Sequence, residues 1–240
     1  MIKVTGNRPD PTLYAFYGDA GVGKTRLVGQ VPTIYGKTLY INCLGGLESI
    51  INRKELVSDG LLVEAEMDSL LDIQKVLTRD YLDKEGFRAV VLDKYGAQVH
   101  QNVLKGLPGA VDTRKVYQDN LYDGLRGLAH LVNLRVPTFL VLGEAYDKNE
   151  VGAMWWFPEL PGQFQTKFAE YVSILARITV KDIKGPQEGD RQVHIVQLQR
   201  AGNNVMARTR EPSGKVRAFF EAEDLVLEEV LAAAGVIIDG

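Results

Sequence analysis

Eight consecutive residues near the start of the chain combine the residue types that bind phosphate groups. They read Gly18-Asp19-Ala20-Gly21-Val22-Gly23-Lys24-Thr25 and match the spacing G-x-x-x-x-G-K-[ST] in full. Glycines let the backbone curl, so that successive N–H groups and the N-terminus of a following helix point at phosphate oxygens. Lys24 adds a mobile cation for the β and γ phosphates, and Thr25 adds a hydroxyl for Mg²⁺. The pattern predicts a P-loop that binds a nucleoside triphosphate.

One acidic residue further along the chain fits the metal side of the same site. Four apolar residues, 89–92, form a strand-like run that ends in Asp93. An acid at the end of a core strand can hold Mg²⁺ through water beside a bound triphosphate. The alternative is a plain acidic residue at a strand end or turn. The sequence therefore predicts Thr25 and Asp93 as the metal-binding pair.

Elements that could position these residues alternate along the first two thirds of the chain. Apolar runs predict strands and amphipathic spacing predicts helices. The predicted strands cover residues 13–17, 38–42, 61–63, 88–93 and 136–142, and the predicted helices cover 24–30, 47–57, 70–82 and 121–132. Apolar strands separated by helices predict a mainly parallel central sheet covered on both faces.

The last third of the chain has a different pattern. Residues 172–181 and 192–199 are strand-like and flank a polar turn at 185–190, which predicts a hairpin. Further strands are predicted at 205–209 and 216–220, and a closing helix at 223–234 ends before Gly235. The expected fold class is α/β with a C-terminal antiparallel extension. Because no linker-like stretch interrupts the chain, residues 1–240 are expected to form one domain.

Composition excludes several other classes of protein. The 28 basic and 31 acidic residues give a net charge of −3, so overall basicity gives no indication of nucleic acid. The single cysteine, Cys43, excludes an internal disulfide and fits a reducing compartment. The three histidines, His100, His130 and His194, lack metal-ligand spacing. No stretch approaches the roughly 20 apolar residues of a membrane span, and we expect a cytoplasmic protein, in the host cytoplasm if it is phage-encoded.

The order of these segments resembles the RecA/DnaB branch of P-loop ATPases, and most closely the small RecA-like recombination and annealing ATPases of phages. The stretch 206–220 carries the more specific part of this resemblance, because a basic-x-basic pair is followed by a Gly turn and a strand. In that family the pair reaches the γ-phosphate bound by the neighbouring subunit. The resemblance implies this role for Arg208 and Arg210, with a pair of solvated arginines as the alternative. A cation at that position would stabilise transition-state charge and couple hydrolysis to assembly.

The sequence departs from the family where the attacking water is activated. In RecA-like proteins the second core strand ends in Asp, and a Glu two residues later orients that water; Asn42 and Leu44 occupy these positions here. A leucine cannot polarise water, so another acid takes this role or hydrolysis is weak. Glu144, just after the predicted strand 136–142, and Glu48 are the candidates. Lys94 follows Asp93 where relatives carry a small hydroxyl or acidic residue, and it either pairs with Asp93 or points away.

Two segments are candidates for contact with single-stranded DNA, which the resemblance implies as a partner. Residues 105–115 are moderately basic, and residues 147–165 contain Trp155-Trp156-Phe157. Three adjacent aromatics cannot all face a core from an irregular segment, so at least one is expected to be exposed. Exposed rings beside cations suit unpaired bases. The alternative is that these rings pack beneath the hairpin or at a subunit interface.

The leading expectation is an ATP-binding RecA-like protein that assembles as a ring or filament on single-stranded DNA, for recombination or strand annealing. ATP is the default nucleotide because no guanine-recognition motif is present. A P-loop scaffold or switch that hydrolyses ATP weakly is the alternative that Asn42 and Leu44 favour. A small-molecule kinase is less favoured, because the chain contains no arginine-rich lid segment.

Overall fold

The computed structural model describes residues 13–42, 47–148, 152, 154–185, 189–200, 205–209 and 216–236. Eleven strands lie within these residues: β1 (Leu13–Tyr17), β2 (Thr38–Asn42), β3 (Leu62–Glu66), β4 (Ala89–Asp93), β5 (Thr138–Leu142), β6 (Glu144–Lys148), β7 (Met154–Pro158), β8 (Ile174–Gly185), β9 (Gly189–Gln197), β10 (Arg208–Thr209) and β11 (Phe219–Ala222). The described part also contains nine α-helices: α1 (Lys24–Val28), α2 (Val31–Tyr35), α3 (Arg53–Ser58), α4 (Leu70–Val76), α5 (Arg79–Glu85), α6 (Tyr95–Gly106), α7 (Thr113–Asn133), α8 (Gln163–Tyr171) and α9 (Leu227–Ala233). A short 3₁₀ helix covers Leu47–Ser49.

The central sheet has the strand order β11-β9-β8-β1-β5-β4-β2-β3, with β10 paired to β8. The strands from β8 to β3 run parallel to their neighbours. β9, β10 and β11 add antiparallel pairings at the other side. This architecture confirms the predicted fold class, a mainly parallel sheet with a C-terminal antiparallel extension. Parallel strands place their carboxyl ends at one edge, where ligands bind in open α/β sheets.

Both faces of the sheet are buried, which explains why its strands are continuously apolar. In β1 the alternating side chains of Leu13, Ala15 and Tyr17 pack into a core beneath α4, α6, α7 and α8. Tyr14 and Phe16 point to the opposite face and pack beneath α1, α2 and α9. Period-two alternation therefore divides one apolar run between two cores.

Local capping divides two of the predicted helices. The run 70–82 forms α4 and α5, because the Thr78 side chain accepts the Tyr81 N–H and begins a new helix. The run 47–57 forms the 3₁₀ helix and α3, separated by Asn52 in a left-handed conformation with φ 56°. Asparagine tolerates that conformation better than most residues. Amphipathic spacing continues across such breaks and does not reveal them.

The two candidate DNA segments are more regular than the sequence indicates. The expectation that 147–165 is irregular is wrong for its aromatic part, because Trp155, Trp156 and Phe157 lie in β7, paired antiparallel with β6. Pairing satisfies the backbone of these strands and alternates their side chains across two faces. In the other segment, α6 extends to Gly106 and α7 begins at Thr113, so residues 107–112 connect two helices.

Candidate nucleotide-binding site

The phosphate loop leaves β1 at Tyr17 and enters α1 at Lys24. Gly18 passes directly beside the neighbouring strand: a Cβ at this position would lie 2.1 Å from the Ile178 carbonyl oxygen, so no larger residue fits. Gly23 adopts φ 89°, which glycine allows at low cost, and it forms the N-cap of α1. Val22 and α1 pack into the core, while Asp19, Ala20 and Gly21 are exposed. The loop therefore has a fixed base and an open tip.

Lys24 curls back over its own loop. Its Nζ donates hydrogen bonds to the carbonyl oxygens of Gly18 at 2.8 Å and Asp19 at 2.6 Å. Burial lowers the pKa of the Lys24 ammonium, and the charges of Asp93, Asp19 and Glu144 partly offset that effect. The loop and two of the predicted acidic residues thus share one electrostatic environment around this ammonium.

Asp93 lies fully buried at the end of β4, separated from β1 by β5. Its Oδ2 accepts a hydrogen bond from the Tyr40 hydroxyl at 2.9 Å, while its Oδ1 is buried without a hydrogen-bond partner among the described residues. Burial raises the pKa of the Asp93 carboxyl, and the hydrogen bond from Tyr40 and the proximity of the Thr25 hydroxyl act against that shift. The structure brings Thr25 and Asp93 together, as the sequence predicts. A hydroxyl beside a carboxylate with a free oxygen fits Mg²⁺, which prefers hard oxygen ligands.

Lys94 follows Asp93 and forms the N-cap of α6. Its positive charge acts against the rise in the pKa of the Asp93 carboxyl that burial causes. Its backbone is held in the left-handed region at φ 59°, which costs a non-glycine residue about 1 kcal/mol. Pairing of the Lys94 side chain with Asp93 stays a prediction.

Glu144 begins β6 and is held by a residue that sequence reasoning missed. Arg177 of β8 donates from Nε to Glu144 Oε2 at 2.9 Å and from Nη2 to Glu144 Oε1 at 2.7 Å. The Arg177 guanidinium also lies 4.7 Å from the centre of the Trp156 ring. The available signal was a single arginine inside the apolar run 174–178. A buried strand carries an unpaired cation at high cost, so such a residue predicts an acidic partner.

Glu48, the second candidate for water activation, is exposed in the 3₁₀ helix, and its charge acts on Arg53, which is paired with Glu64. Asn42 ends β2 in register with Asp93. Leu44 lies outside the described residues.

Of the two arginines predicted to act on a neighbour's nucleotide, Arg208 lies within the described residues. Arg208 lies in β10, which pairs with Ile174 and Leu175 at the start of β8. The phosphate loop follows Tyr17, the β1 residue in register with Arg177 of β8. The Arg208 side chain is exposed, and its Nη1 donates to the Ala169 carbonyl at 3.1 Å. It therefore lies beside the start of β8, three residues along that strand from Ile178, which adjoins the phosphate loop of its own chain. Arg210 lies outside the described residues.

The β6–β7 hairpin presents its aromatic side chains on two faces. Trp156 packs against the α7-side core beneath Arg177, and its carbonyl accepts the Met206 N–H at 3.0 Å. Trp155, on the other face, lies 4.8 Å from the Arg200 guanidinium. Tyr146, which pairs with Trp156 in register, is 67% exposed. All three consecutive aromatics are partly exposed, in agreement with the expectation that at least one would be.

The described residues lack a metal-ligand cluster and a membrane-spanning helix. They contain no group of three or more His, Cys, Asp or Glu side chains that could hold a metal ion by themselves. Within the same ranges, every helix is too short or too polar to cross a membrane.

Comparison with known proteins adds little to this description. No protein-family model matches the sequence, and no curated protein matches it. Among solved structures the chain is similar to a KaiC-like protein from the hyperthermophilic archaeon Pyrococcus horikoshii, with 12% identity over 77% of each chain and a TM-score of 0.46. A similarity at this level says nothing about ligand or partner. The strand order and the loop sequence at the end of β1 therefore define the chain as an α/β fold with a mainly parallel sheet and a phosphate-loop sequence after its first strand.

Proposed function

We propose that this chain binds ATP and Mg²⁺ on its phosphate loop and couples the nucleotide to the handling of single-stranded DNA, in recombination or strand annealing of a phage type. The observation that carries the nucleotide part is the convergence of Lys24, Thr25 and Asp93 at one edge of the sheet. Each of the three supplies the chemistry that a magnesium triphosphate requires. When bound, Mg²⁺ would neutralise part of the charge that develops on the phosphates.

Each residue of this site would have a separate role in binding the nucleotide and the metal. The glycine-rich backbone would bind phosphate oxygens, and Lys24 would exchange its hydrogen bonds to Gly18 and Asp19 for phosphate oxygens. Thr25 and the free Oδ1 of Asp93 would hold the metal, while Tyr40 orients the other Asp93 oxygen. Hydrogen bonds of this kind fix the geometry of a metal ligand and tune its charge.

Assembly of several copies, as a ring or a filament, is the part of the proposal that rests on the resemblance of Arg208 and Arg210 to trans-acting arginines. Arg208 is exposed and therefore accessible to a neighbouring subunit. An arginine supplied from a neighbour makes hydrolysis depend on assembly. The same reasoning applies to Arg210 by its place in the sequence.

The β6–β7 hairpin is the proposed contact for single-stranded DNA. Tyr146 on one face of the hairpin and Trp155 on the other offer rings on which bases stack without sequence preference. Lys148 and Arg200 provide cations beside these rings. The hairpin begins at Glu144, whose charge acts on Lys24. Glu144 therefore belongs to the hairpin proposed to contact DNA and also acts electrostatically on the nucleotide site.

A weakly hydrolysing switch or scaffold is the second candidate. Asn42 stands where the family has an acid, and both carboxylate oxygens of Glu144 are held by Arg177. Arg177 occupies one acceptor site on each oxygen of this carboxylate, which leaves fewer sites that could orient an attacking water. ATP binding with slow turnover is the expected behaviour of such a site.

One assay separates these functions. ATP turnover is measured with Mg²⁺, with and without a single-stranded oligonucleotide, while light scattering reports the size of the particle. Turnover stimulated by DNA together with a larger particle supports the leading proposal. Tight ATP binding without turnover in either condition supports the switch, and turnover that requires a small phosphate acceptor would instead indicate a kinase. Absence of affinity for any nucleoside triphosphate would overturn all three.

A further inference from the structure

A groove of about 480 Å³ lies between the N-terminal half of α7 and the turn that leads into α8. Arg114, from the first candidate DNA segment, lines it on one side, and residues 161–164, from the second, line it on the other. The structure thus brings two segments that are about 45 residues apart in sequence into one concave surface. Its volume lies in the range of sites for small ligands.

The floor of the groove depends on a close approach of the two helices. The Phe164 ring is 1% exposed and covers Gly124 of α7. A Cβ at Gly124 would lie 2.8 Å from that ring, so a larger residue would push α8 away. Gly124 therefore allows α8 to pack close to α7 and keeps the groove's shape.

Two polar side chains line this groove. Asn120 is 8% exposed, and Arg114 forms no ion pair with any described residue. A ligand that enters the groove therefore meets an amide that can both donate and accept hydrogen bonds, and a cation without a counter-charge.

Two aromatic rings complete the lining. Tyr117 is 47% exposed and Tyr122 is 53% exposed, which is unusual for rings of this size on a helix that also contributes to the core. Rings, an amide and an arginine within one groove match the three parts of a nucleotide: the base face, the base edge and the phosphate. A protein partner of standard size would need a much larger and more apolar area.

We propose that the groove between α7 and α8 binds an unpaired base of single-stranded nucleic acid. Tyr117 and Tyr122 contact the base, Asn120 hydrogen-bonds its edge, and Arg114 binds the adjoining phosphate. This inference rests on the proposed function, and it assigns the partner a site distinct from the β6–β7 hairpin. Residues 159–162 join the end of β7 to the groove, so one strand could follow both surfaces.

Affinity measurements on the full chain test the proposal. The probe is a fluorescent oligothymidine strand, and an abasic strand of the same length serves as the control ligand. Tyr117→Ala and Asn120→Ala should each weaken binding of the thymidine strand about tenfold and leave binding of the abasic strand unchanged. Phe219→Ala, which removes an exposed ring from the edge strand β11, is the matched control and should change neither.

The salt dependence of the same binding isolates the phosphate contact. Arg114→Ala should reduce the slope of log K against log salt by about 0.7, the value for one phosphate of a single strand. Arg126→Ala removes an equal charge from the same helix outside the groove lining and should leave the slope unchanged. Equal slopes for the Arg114 variant and the wild type would show that Arg114 does not contact a phosphate of the strand.

Photocrosslinking of the wild type keeps the test independent of folding defects in the variants. A strand that contains 5-iododeoxyuridine should crosslink to Tyr117 or Tyr122, identified by peptide mass spectrometry. If crosslinks are confined to the hairpin tryptophans and the groove variants bind normally, the groove is not the binding site for the strand. That result would leave the proposed function unaffected. Equally tight capture of a free mononucleotide would overturn assignment to a strand. A wild type that binds ATP but no strand would overturn both the groove and the DNA part of the proposed function.

Discussion

Arg177 of β8 holds Glu144 of β6 through two hydrogen bonds of 2.9 and 2.7 Å, and 16% and 10% of the two side chains remain exposed. The two residues belong to different sheets, so this ion pair joins the central sheet to the hairpin. Trp156 packs against the guanidinium, and Glu144 acts electrostatically on Lys24. The role of Glu144 as water-activating residue stays a prediction.

A double-mutant cycle on this pair should give a large coupling energy. Arg177→Met alone should destabilise the fold by about 3 kcal/mol, because it leaves a buried carboxylate unpaired. Adding Glu144→Gln should recover part of that loss, with a coupling energy of about 1–3 kcal/mol in urea unfolding. The exposed pair Arg53–Glu64 is the control and should show much weaker coupling. Additive effects of the Arg177 and Glu144 changes would contradict the structural role.

Lys24→Ala should weaken ATP binding at least tenfold and abolish turnover. The substitution removes the mobile cation of the phosphate loop without changing its glycines. Isothermal calorimetry gives the affinity, and phosphate release gives the turnover. Arg26→Ala is the control, because Arg26 lies on the same helix but pairs with Asp224 in solvent. Unchanged ATP affinity in the Lys24 variant would exclude the loop as the nucleotide site.

Asp93→Asn should abolish the Mg²⁺ dependence of ATP binding while stabilising the free protein. Burial raises the pKa of this carboxyl above its ordinary value of 3.8. Ionisation therefore destabilises the fold, and the contribution of Asp93 to stability falls as pH rises through the raised pKa. The Asn variant should exceed the wild type by about 1 kcal/mol at pH 8.

That difference should shrink as pH falls through the raised pKa toward 3.8, and it should level off below 3.8, where the wild-type carboxyl becomes protonated in both states. Thermal unfolding across pH measures it, and Asp59→Asn, at an exposed position, should show no comparable trend. A variant that is less stable than the wild type at pH 8 would show that the charge of Asp93 is favourable in the free protein.

Arg208→Ala should reduce ATP turnover at least tenfold without weakening ATP binding, because the arginine acts on a neighbour's nucleotide. Mixing this variant with Lys24→Ala should restore part of the activity. In mixed assemblies the intact Arg208 of one subunit meets the intact phosphate loop of the other. Turnover is measured over a series of mixing ratios at constant total protein. Full activity of the Arg208 variant alone would show that this residue is not required.

Trp155→Ala and Trp156→Ala should separate DNA contact from packing. Trp156 packs against the core, so its removal should lower the melting temperature by several degrees. Trp155 lies outside both cores, and its removal should weaken single-strand binding five- to tenfold with little change in melting temperature. Fluorescence anisotropy and thermal unfolding give the two quantities. Equal melting losses for both variants would indicate that the whole hairpin is structural.

The sequence alone determined the phosphate loop, because its eight residues are contiguous and its chemistry depends on local backbone conformation. It also determined the fold class, since apolar runs and helical spacing are local signals that a parallel sheet preserves. Asp93 was predictable for the same reason: a buried strand that ends in an acid places that acid at the edge of the sheet. Helix breaks at Asn52 and Thr78 escaped prediction because amphipathic spacing continues across them.

Only the tertiary structure decided which distant residues meet. Arg177 and Glu144 are 33 positions apart and pair because β8 passes beside the phosphate loop where the hairpin begins. Arg114 and Phe164 share a groove because α8 packs against α7 over Gly124. Side-chain pairings of this kind depend on how elements pack, and packing is a property of three-dimensional contacts that no local pattern records.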